Sequence, residues 1–508
     1  MSPSASPPET NLYGRFAARF APAASVLLET PAGERLCYGD VERETARLAR
    51  WLRDAGLGVG DRVSVQVDKS PQALLLYLAC LRAGLVFHPL NPAYTAAELD
   101  YFLHDAEPAA VVCDPARAPE IFALARRAGA RLCQTLDASG RGSLWEESRD
   151  AAPDWPVTAV ADDALAALLY SSGTTGKPKG IGLTHRNLGV NAAALAEAWG
   201  FTASDVLLHA LPMFHVHGLF IALGCVLLSG SRMLFQPKFD ADAVIDALPQ
   251  ATAMMGVPTY YTRLLLHPAL NPARCRRVRL FTCGSAPLLA DTFHAFEART
   301  GHRILERYGM TETSVIASNP LHGERRAGAV GLPLPGMEVR IVDAHDAPLA
   351  AGATGHVQVR GESVFKGYWR RPDKTREDFT ADGWFRTGDD GVLDAAGYLS
   401  LVGRGKDLII SGGLNVYPSE VETVLDTLPG VLESAVIGLA HADFGEQVVA
   451  VLVLEPGASF DESAARAALR QQLAAYKQPK RYLIVAALPR NAMGKVQKNL
   501  LREQLAAA

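Results

Sequence analysis

A glycine-rich segment at residues 170–180, YSSGTTGKPKG, combines the residue types that bind a polyphosphate. Glycines let consecutive backbone amides turn inward around an anion, and hydroxyls and ammonium groups add donors and positive charge. Pro178 stands where a Walker A loop requires Ser or Thr, so this is a different phosphate loop. A flexible linker is disfavoured, because the segment directly follows an apolar run at 165–170. The predicted phosphate-binding residues are Ser171, Ser172, Gly173, Thr174, Thr175, Gly176, Lys177 and Lys179.

The segments around this loop alternate between helical and strand patterns. Apolar residues recur at helical spacing over 41–55, a strand-like run covers 61–67, and Ser70-Pro71 is typical of the start of the next helix. Further apolar runs at 109–113 and 165–170 predict buried strands. This βα alternation predicts an α/β protein whose mostly parallel sheets are covered by helices.

The sequence pattern changes near residue 330 and again near residue 404. From 330 to 400, short strands alternate with Gly, Pro and Asp turns, which predicts a β-rich subdomain. The charged segment GRGKD follows, and a self-contained piece of about 100 residues comes after it. We therefore predict a large N-terminal domain at 1–404, a hinge at 405–407, and a small, mobile α+β C-terminal domain at 408–508.

Four further motifs carry chemically active side chains and follow the loop in order. They are YGMTET at 308–313, TGD at 387–389, GRGKD at 403–407 and PRNAMGKVQK at 489–498. Together with the glycine-rich loop, they resemble the motifs of the adenylate-forming superfamily, and the resemblance covers nearly the whole chain. It implies that ATP and a carboxylic acid form an acyl-adenylate with release of pyrophosphate. The acyl group then passes to a thiol, here coenzyme A, with release of AMP.

The resemblance also implies roles for individual residues. Glu312 and Thr174 would hold Mg²⁺ beside the ATP phosphates, and magnesium needs few protein carboxylates when phosphate oxygens complete its shell. Asp389 and Arg404 would contact the ribose, and Lys406 would be the hinge pivot. Lys495 would be the lysine of the C-terminal catalytic loop. Further nucleotide- or CoA-contacting positions are Gly284, Ser285, Ala286, Tyr308, Gly309, Met310, Thr311, Ser411, Gly412 and Gly413.

Residues of two other segments are expected to contact the acid. In LPMFHVHGLF, His215 corresponds to the superfamily's acyl-site histidine and is expected to be catalytic; Ser285 and Met310 are also expected to contact the acid. His215 and His217 could hold a metal on one strand face, but no third ligand is evident. In GVPTYYTRLL, the resemblance to malonyl-CoA synthetases makes Arg263 a candidate residue for binding a second carboxylate through its guanidinium group. Malonate is therefore the expected acid, with methylmalonate left open; the alternative for Arg263 is an exposed side chain.

Composition excludes several classes of protein. A net charge of -4 disfavours non-specific nucleic-acid binding, and no apolar run is long enough to span a membrane. The seven cysteines contain no CxxC pair and indicate buried thiols in a reducing, cytoplasmic compartment. We expect small-molecule partners only and a monomer or weak homodimer.

Three alternatives remain open from the sequence. The chain could be a ligase for another short or aromatic acid, or a stand-alone adenylation enzyme that loads a carrier protein. It could also be an inactive binding protein on the same fold, although the presence of both Glu312 and Lys495 argues against this.

The C-terminal lysine gives a first test. Lys495→Ala should abolish adenylate formation, because its ammonium would no longer stabilise the charge that develops when carboxylate and α-phosphate meet. Attack of CoA on supplied acyl-adenylate should survive. The two half-reactions are measured separately, by ATP–pyrophosphate exchange and by thioester formation from the adenylate. Equal loss in both would contradict the assignment.

Overall fold

The computed structural model describes residues 10–172, 178–286, 288, 290–404, 409–416, 418–489 and 496–506. Several predicted site residues lie outside this part of the chain: Gly173, Thr174, Thr175, Gly176, Lys177, Lys406 and Lys495. The side chains of Ser172 and Arg404 also lie outside it. The roles predicted for these residues, and the hinge at 405–407, stay predictions.

The described strands are numbered in chain order. They are β1 Val26–Glu29, β2 Arg35–Cys37, β3 Arg62–Gln66, β4 Val86–Pro89, β5 Ala110–Cys113, β6 Leu132–Thr135, β7 Leu165–Ser172, β8 Pro178–Thr184, β9 Val206–His209, β10 Arg232–Phe235, β11 Ala253–Gly256, β12 Leu280–Cys283, β13 Leu305–Met310, β14 Ser314–Ser318, β15 Leu332–Pro333, β16 Met337–Val342, β17 Thr354–Gly361, β18 Phe385–Leu393, β19 Leu399–Arg404, β20 Ile409–Ser411, β21 Leu414–Val416, β22 Val431–His441, β23 Gly445–Leu454 and β24 Arg481–Ile484.

The described α-helices follow the same convention. They are α1 Leu12–Ala17, α2 Tyr38–Asp54, α3 Pro71–Arg82, α4 Ala96–Ala106, α5 Ala118–Arg127, α6 Ser143–Glu147, α7 His185–Ala198, α8 Leu223–Ser229, α9 Ala241–Ala247, α10 Pro258–Leu266, α11 Pro272–Cys275, α12 Ala290–Thr300, α13 Pro372–Asp378, α14 Pro418–Leu425, α15 Glu462–Gln472 and α16 Lys498–Ala506. Short 3₁₀ turns cover Pro115–Arg117, Leu248–Gln250 and Ala475–Lys477, and a π-helical turn covers His217–Ala222.

Local sequence accounts for several helix starts. Ser70 accepts a hydrogen bond from the Ala73 amide, and Pro71 is the first residue of α3. Thr184 and Asn187 form a reciprocal capping box at the start of α7. Because these side chains satisfy backbone amides that the helix leaves unpaired, each helix begins directly after its capping residue, and α3 begins where the sequence predicts.

The strands form four sheets. One has the order β6-β5-β3-β4-β7-β8, and a nine-stranded sheet has the order β15-β14-β13-β12-β11-β9-β10-β1-β2. The pairs of the nine-stranded sheet from β1 through β10, β9, β11 and β12 to β13 are parallel. A third sheet, β16-β17-β18-β19, contains antiparallel pairs, as predicted for the β-rich segment. This confirms the predicted α/β class with its β-rich subdomain.

The chain divides into two compact units. The first comprises residues 1–92, 102–169 and 180–402, and the second comprises 93–101, 170–179 and 403–508. Within the second, Lys477 is 3% exposed, and its Nζ lies 2.8 Å from Glu98 Oε1 and 3.0 Å from Glu420 Oε2. This ion pair cluster joins the segment at 93–101 to the C-terminal part of the same unit.

The start of α7 also anchors the N-terminal helix of the first unit. The His185 side chain is fully buried, and its Nδ1 accepts a hydrogen bond of 3.0 Å from the Leu12 amide. Burial, reinforced by the charge of Arg15, lowers the pKa of His185 from 6.5 to about 4. The folded protein therefore holds His185 neutral at pH values where the unfolded chain would protonate it.

This shift predicts a specific pH dependence of stability. The stabilisation is complete above pH 6.5 and is lost as the pH falls towards 4, because only the unfolded chain binds the proton in that window. His185→Gln keeps an acceptor but does not titrate. Between pH 7 and pH 5, the free energy of unfolding of the wild type should therefore fall by about 2 kcal/mol more than that of the variant. Urea denaturation at both pH values measures this difference, and parallel losses would contradict it.

Candidate active site

The candidate site lies where three parallel strands of the nine-stranded sheet end. Gly256 ends β11 and Cys283 ends β12, and these two residues are paired in register; Cys283 also pairs with Glu306 of β13. The Gly284 amide donates a hydrogen bond of 3.3 Å to the Gly256 carbonyl. The carboxyl ends of parallel strands are where open α/β sheets bind ligands. The predicted site residues Gly284, Ser285 and Ala286, which follow β12, therefore lie at this edge of the sheet.

A buried arginine, Arg307, faces this edge from β13. Its side chain packs on Gly284 so closely that a Cβ on residue 284 would lie 2.4 Å from Nε and 2.5 Å from Cζ. Arg307 is 4% exposed, and its Nε and Nη2 have no hydrogen-bond partner among the described residues. Burial lowers its pKa to about 10, so it remains charged at neutral pH. Arg307 is not among the site residues predicted from the sequence, although an arginine inside a buried strand is a signal in itself.

Two histidines lie beside this arginine. The His217 amide donates to His215 Nδ1 at 3.3 Å, and His217 Nδ1 lies 3.3 Å from Ser285 Oγ. His217 begins a π-helical turn, so the expectation that both histidines share a strand face is wrong. The turn allows a close approach, because a Cβ at Gly218 would lie 2.1 Å from the Pro212 carbonyl oxygen. Such π turns occur frequently at functional sites.

Both histidines are neutral in this environment. Burial first, and then the charge of Arg307, lowers the pKa of His215 to about 4 and that of His217 well below its usual value. His217 Nε2 is buried without a partner among the described residues. Ser285 adopts a positive φ of 71°, which is uncommon for a non-glycine residue and clusters at functional sites. The site thus combines a buried cation, neutral imidazoles and a strained serine.

The structure brings two of the predicted nucleotide motifs into contact. The Tyr308 hydroxyl of YGMTET donates to the carboxylate of Asp389 in TGD, and both side chains are buried. The Asp389 amide donates to Thr387 Oγ1 at 3.1 Å. Tight backbone packing surrounds the motif, since a Cβ at Gly309 would lie 2.0 Å from the Ser314 carbonyl oxygen. The two motifs therefore form one structural unit.

The remaining predicted site residues of YGMTET, and Ala286, are close in sequence to the residues described above. Met310 ends β13, and Thr311 and Glu312 form the turn to β14. Glu312 is 6% exposed, and its carbonyl accepts from the Phe365 amide at 2.7 Å. Ala286 follows Ser285 and is partly buried.

Other predicted site residues belong to the second unit. Ser171 and Lys179 belong to the described ends of the glycine-rich segment, and there the Tyr101 hydroxyl donates to the Pro178 carbonyl at 2.6 Å. Ser411 ends β20, and Gly412 and Gly413 form a turn with φ values of 60° and 78° that other residues rarely adopt. The Gly412 amide donates to the Phe444 carbonyl at 2.8 Å.

Arg263 occupies the last turn of α10, and its side chain is exposed. One turn earlier, Tyr260 stacks on Phe239 with ring centroids 3.9 Å apart. The side chain of Arg263, the residue predicted to bind a second carboxylate, is therefore more exposed to solvent than that of Arg307.

Comparison with known proteins identifies the class. The AMP-binding enzyme model matches residues 15–369, and the AMP-binding enzyme C-terminal domain model matches residues 420–495. The chain belongs to the AMP-binding enzyme family, which confirms its place in the adenylate-forming superfamily.

Several individual proteins are similar to this chain over most of its length. The chain is 37% identical to sulfoacetate–CoA ligase of Cupriavidus necator, covering 94% of each protein. It is 36% identical to malonate–CoA ligase of Arabidopsis thaliana, covering 93% of this chain and 85% of the relative. It is 36% identical to feruloyl-CoA synthase of an Amycolatopsis species, covering 96% and 97%. The crystal structure of ATP-bound MatB from Rhodopseudomonas palustris is 50% identical, covers 98% and 99%, and superposes with a TM-score of 0.78.

The described residues contain no group of three or more His, Cys, Asp or Glu side chains that could hold a metal ion. No helix in the same residues is long and apolar enough to cross a membrane.

The Tyr308–Asp389 contact gives a test of the nucleotide side. Tyr308→Phe should destabilise the protein by about 1–3 kcal/mol, because it removes a buried hydrogen bond to the Asp389 carboxylate. It should also raise KM for ATP, since Asp389 is the predicted ribose acceptor. Tyr368→Phe is the matched control for the KM readout, because Tyr368 also donates to a carboxylate, that of Asp378 at 3.0 Å, but lies outside the YGMTET and TGD motifs. A rise in KM for ATP in both variants would contradict the prediction.

Proposed function

We propose that the protein is an AMP-forming acid–CoA ligase whose acid carries a second anionic group, with malonate as the best candidate. The observation that carries this proposal is the buried, charged Arg307 beside His215, His217 and Ser285, next in sequence to the Tyr308–Asp389 contact. A nucleotide motif and a buried cation thus occupy neighbouring positions of one strand, β13.

The proposed reaction has two balanced steps. An oxygen of the acid's carboxylate attacks the α-phosphorus of ATP, a new P–O bond forms, and pyrophosphate leaves. The sulfur of CoA then attacks the adenylate carbonyl and loses its proton to solvent; a C–S bond forms, the bond between the carbonyl carbon and the phosphate oxygen breaks, and AMP leaves. In the first step two anions must approach each other, so positioned donors and positive charge supply much of the rate enhancement.

Individual residues have distinct proposed roles in these steps. Asp389, oriented by Tyr308, accepts from the ribose hydroxyls. His215 is held neutral by its surroundings and donates or accepts at the acid without adding charge. Lys495 is the proposed cation that stabilises the charge developing during adenylation, and the turn at Ser411–Gly413, with its two positive-φ glycines, is a proposed contact of CoA.

Magnesium would be held by Glu312 and Thr174. The donor set fits this ion, because carboxylate and hydroxyl oxygens are the hard ligands that Mg²⁺ prefers, and Glu312 occupies the turn after β13. When bound, the ion would neutralise charge on the ATP phosphates.

The choice of acid rests on the charge of the site. Guanidinium and imidazole groups favour an acid with a second anion, whereas an aromatic acid needs an apolar wall. The relatives named for malonate and sulfoacetate fit the first class, and the relative named for a feruloyl substrate fits the second. Sulfoacetate is the second candidate, because the oxygens of a sulfonate, like those of a carboxylate, can accept two hydrogen bonds from one guanidinium group.

A pyrophosphate-exchange panel tests the proposal. The purified protein should prefer malonate or sulfoacetate to acetate, propionate, octanoate, ferulate and 4-coumarate, measured as kcat/KM for each acid. A preference for any of the monocarboxylates would overturn the proposed substrate class and leave only a ligase for another acid.

The same panel tests the exposed arginine. If Arg263 binds the distal carboxylate, Arg263→Ala should lose roughly 30-fold or more in kcat/KM for malonate and much less for propionate. Affinity for ATP should change little, because the substitution leaves the nucleotide motifs intact. Equal losses for both acids would contradict this role of Arg263.

A further inference from the structure

We propose that Lys69 and His209 are positioning residues for the acid side of the site, and that they act by fixing the π-helical turn that begins at His217. Neither Lys69 nor His209 is among the site residues predicted from the sequence. The inference rests on the proposed function, but it does not depend on which acid the protein uses. A series of hydrogen bonds leads from Lys69 through the His209 ring to this turn.

The first of these hydrogen bonds is made by Lys69. This residue lies between β3 and α3, and the next residue, Ser70, caps α3. Its Nζ lies 2.8 Å from Nδ1 of His209 and donates to the His209 carbonyl, also at 2.8 Å. The same Nζ lies 4.3 Å from the ring centroid of Phe235. Because His209 and Phe235 end the paired strands β9 and β10, Lys69 connects the segment after β3 to the carboxyl end of the nine-stranded sheet.

The opposite nitrogen of the His209 ring determines its tautomer. Nε2 lies 3.0 Å from the Gly218 carbonyl oxygen, and a carbonyl can only accept, so Nε2 carries the proton. Burial first, and then the charge of Lys69, lowers the pKa of His209 from 6.5 to about 3, so the ring is neutral. In this tautomer Nδ1 has a free lone pair and accepts from Lys69. Lys69 therefore favours the one tautomer that can donate to Gly218.

Gly218 is the second residue of the π-helical turn, directly after His217. Two contacts hold its backbone, since His209 donates to its carbonyl and a Cβ at this position would lie 2.1 Å from the Pro212 carbonyl oxygen. The His217 ring in turn lies 3.3 Å from Ser285 Oγ. A shift of the turn would move this imidazole, and a misplacement of about 1 Å can cost roughly 100-fold in rate.

A second buried lysine shows a different arrangement. Lys477 lies within 3.0 Å of two carboxylates, those of Glu98 and Glu420. In the described part of the chain, both hydrogen bonds of Lys69 go instead to His209. Carboxylates neutralise an ammonium, whereas an imidazole lone pair and a carbonyl are directional acceptors that fix the orientation of a ring. The partners of Lys69 therefore fit a role in orienting His209.

Two substitutions of His209 separate the two ends of the ring. A glutamine amide reaches the position of Nε2 and can donate to Gly218, whereas an asparagine amide reaches only the position of Nδ1. Pyrophosphate exchange is measured with the acid that the wild type prefers. His209→Gln should keep kcat within about 3-fold of the wild type, and His209→Asn should lose about 10-fold or more. KM for ATP should change less than about 2-fold in both variants, because Tyr308 and Asp389 are unchanged.

A double-mutant cycle tests whether Lys69 acts through the ring. Lys69→Met should lower kcat by about 10-fold in the wild-type background, because Nδ1 loses the donor that selects its tautomer. In the His209→Gln background, which has no ring to orient, the same substitution should cost less than about 3-fold. A lysine that only stabilised the fold would cost the same in both backgrounds.

His185→Gln is the matched control. His185 is another fully buried histidine of the first unit, but its Nδ1 accepts from the Leu12 amide, which belongs to the N-terminal helix. It should keep kcat within about 2-fold of the wild type, whatever its thermal midpoint. A kcat that fell in proportion to the thermal midpoint in all of these variants would identify a general structural effect and would overturn the inference.

The outcomes distinguish this inference from the proposed function. If the wild type exchanges pyrophosphate with no acid, the proposed function fails and this role fails with it. If the wild type is active but His209→Asn keeps its kcat, or both substitutions of His209 lose equally, the positioning role fails and the proposed function stands. An equal cost of Lys69→Met in the two backgrounds would likewise overturn the role of Lys69 alone.

Discussion

The contact between Gly284 and Arg307 is the constraint on which the site depends. It requires a glycine directly after β12 and a long, positively charged side chain on β13. The parallel pairing of these two strands brings the residues together. A larger residue at 284 would expel the guanidinium from its position. The surrounding fold thus tolerates a buried charge that stability alone would not favour, as expected where binding rather than folding determines a residue.

Local backbone irregularities concentrate around this contact. Ser285 has a positive φ, and the chain after His215 forms a π-helical turn rather than a strand. Each feature aims a polar group at the end of the sheet: the serine hydroxyl meets His217, and the turn places that imidazole beside Arg307. Strained or irregular backbone of this kind persists when the surrounding packing holds it, here the parallel strands β11, β12 and β13.

The nucleotide side is organised by a hydrogen bond between distant parts of the chain. Tyr308 and Asp389 are 81 residues apart, yet their buried contact couples the strand that carries Arg307 to the β-rich subdomain. Tyr308 and Arg307 are adjacent, so a rearrangement of β13 would affect both. The proposed acid and nucleotide functions therefore share one strand, which gives the two substrates a fixed mutual position.

The sequence by itself determined the family, the α/β class and the helix start at Ser70, because motif order and capping residues are local signals. It also named Tyr308, Asp389, Ser285 and Glu312, but as separate motifs. Only the tertiary structure joined Tyr308 to Asp389, placed His217 in a π-helical turn, and showed Arg307 buried against Gly284 while Arg263 is exposed. Burial and pairing depend on strand register between residues far apart in the chain, which neither periodicity nor spacing encodes.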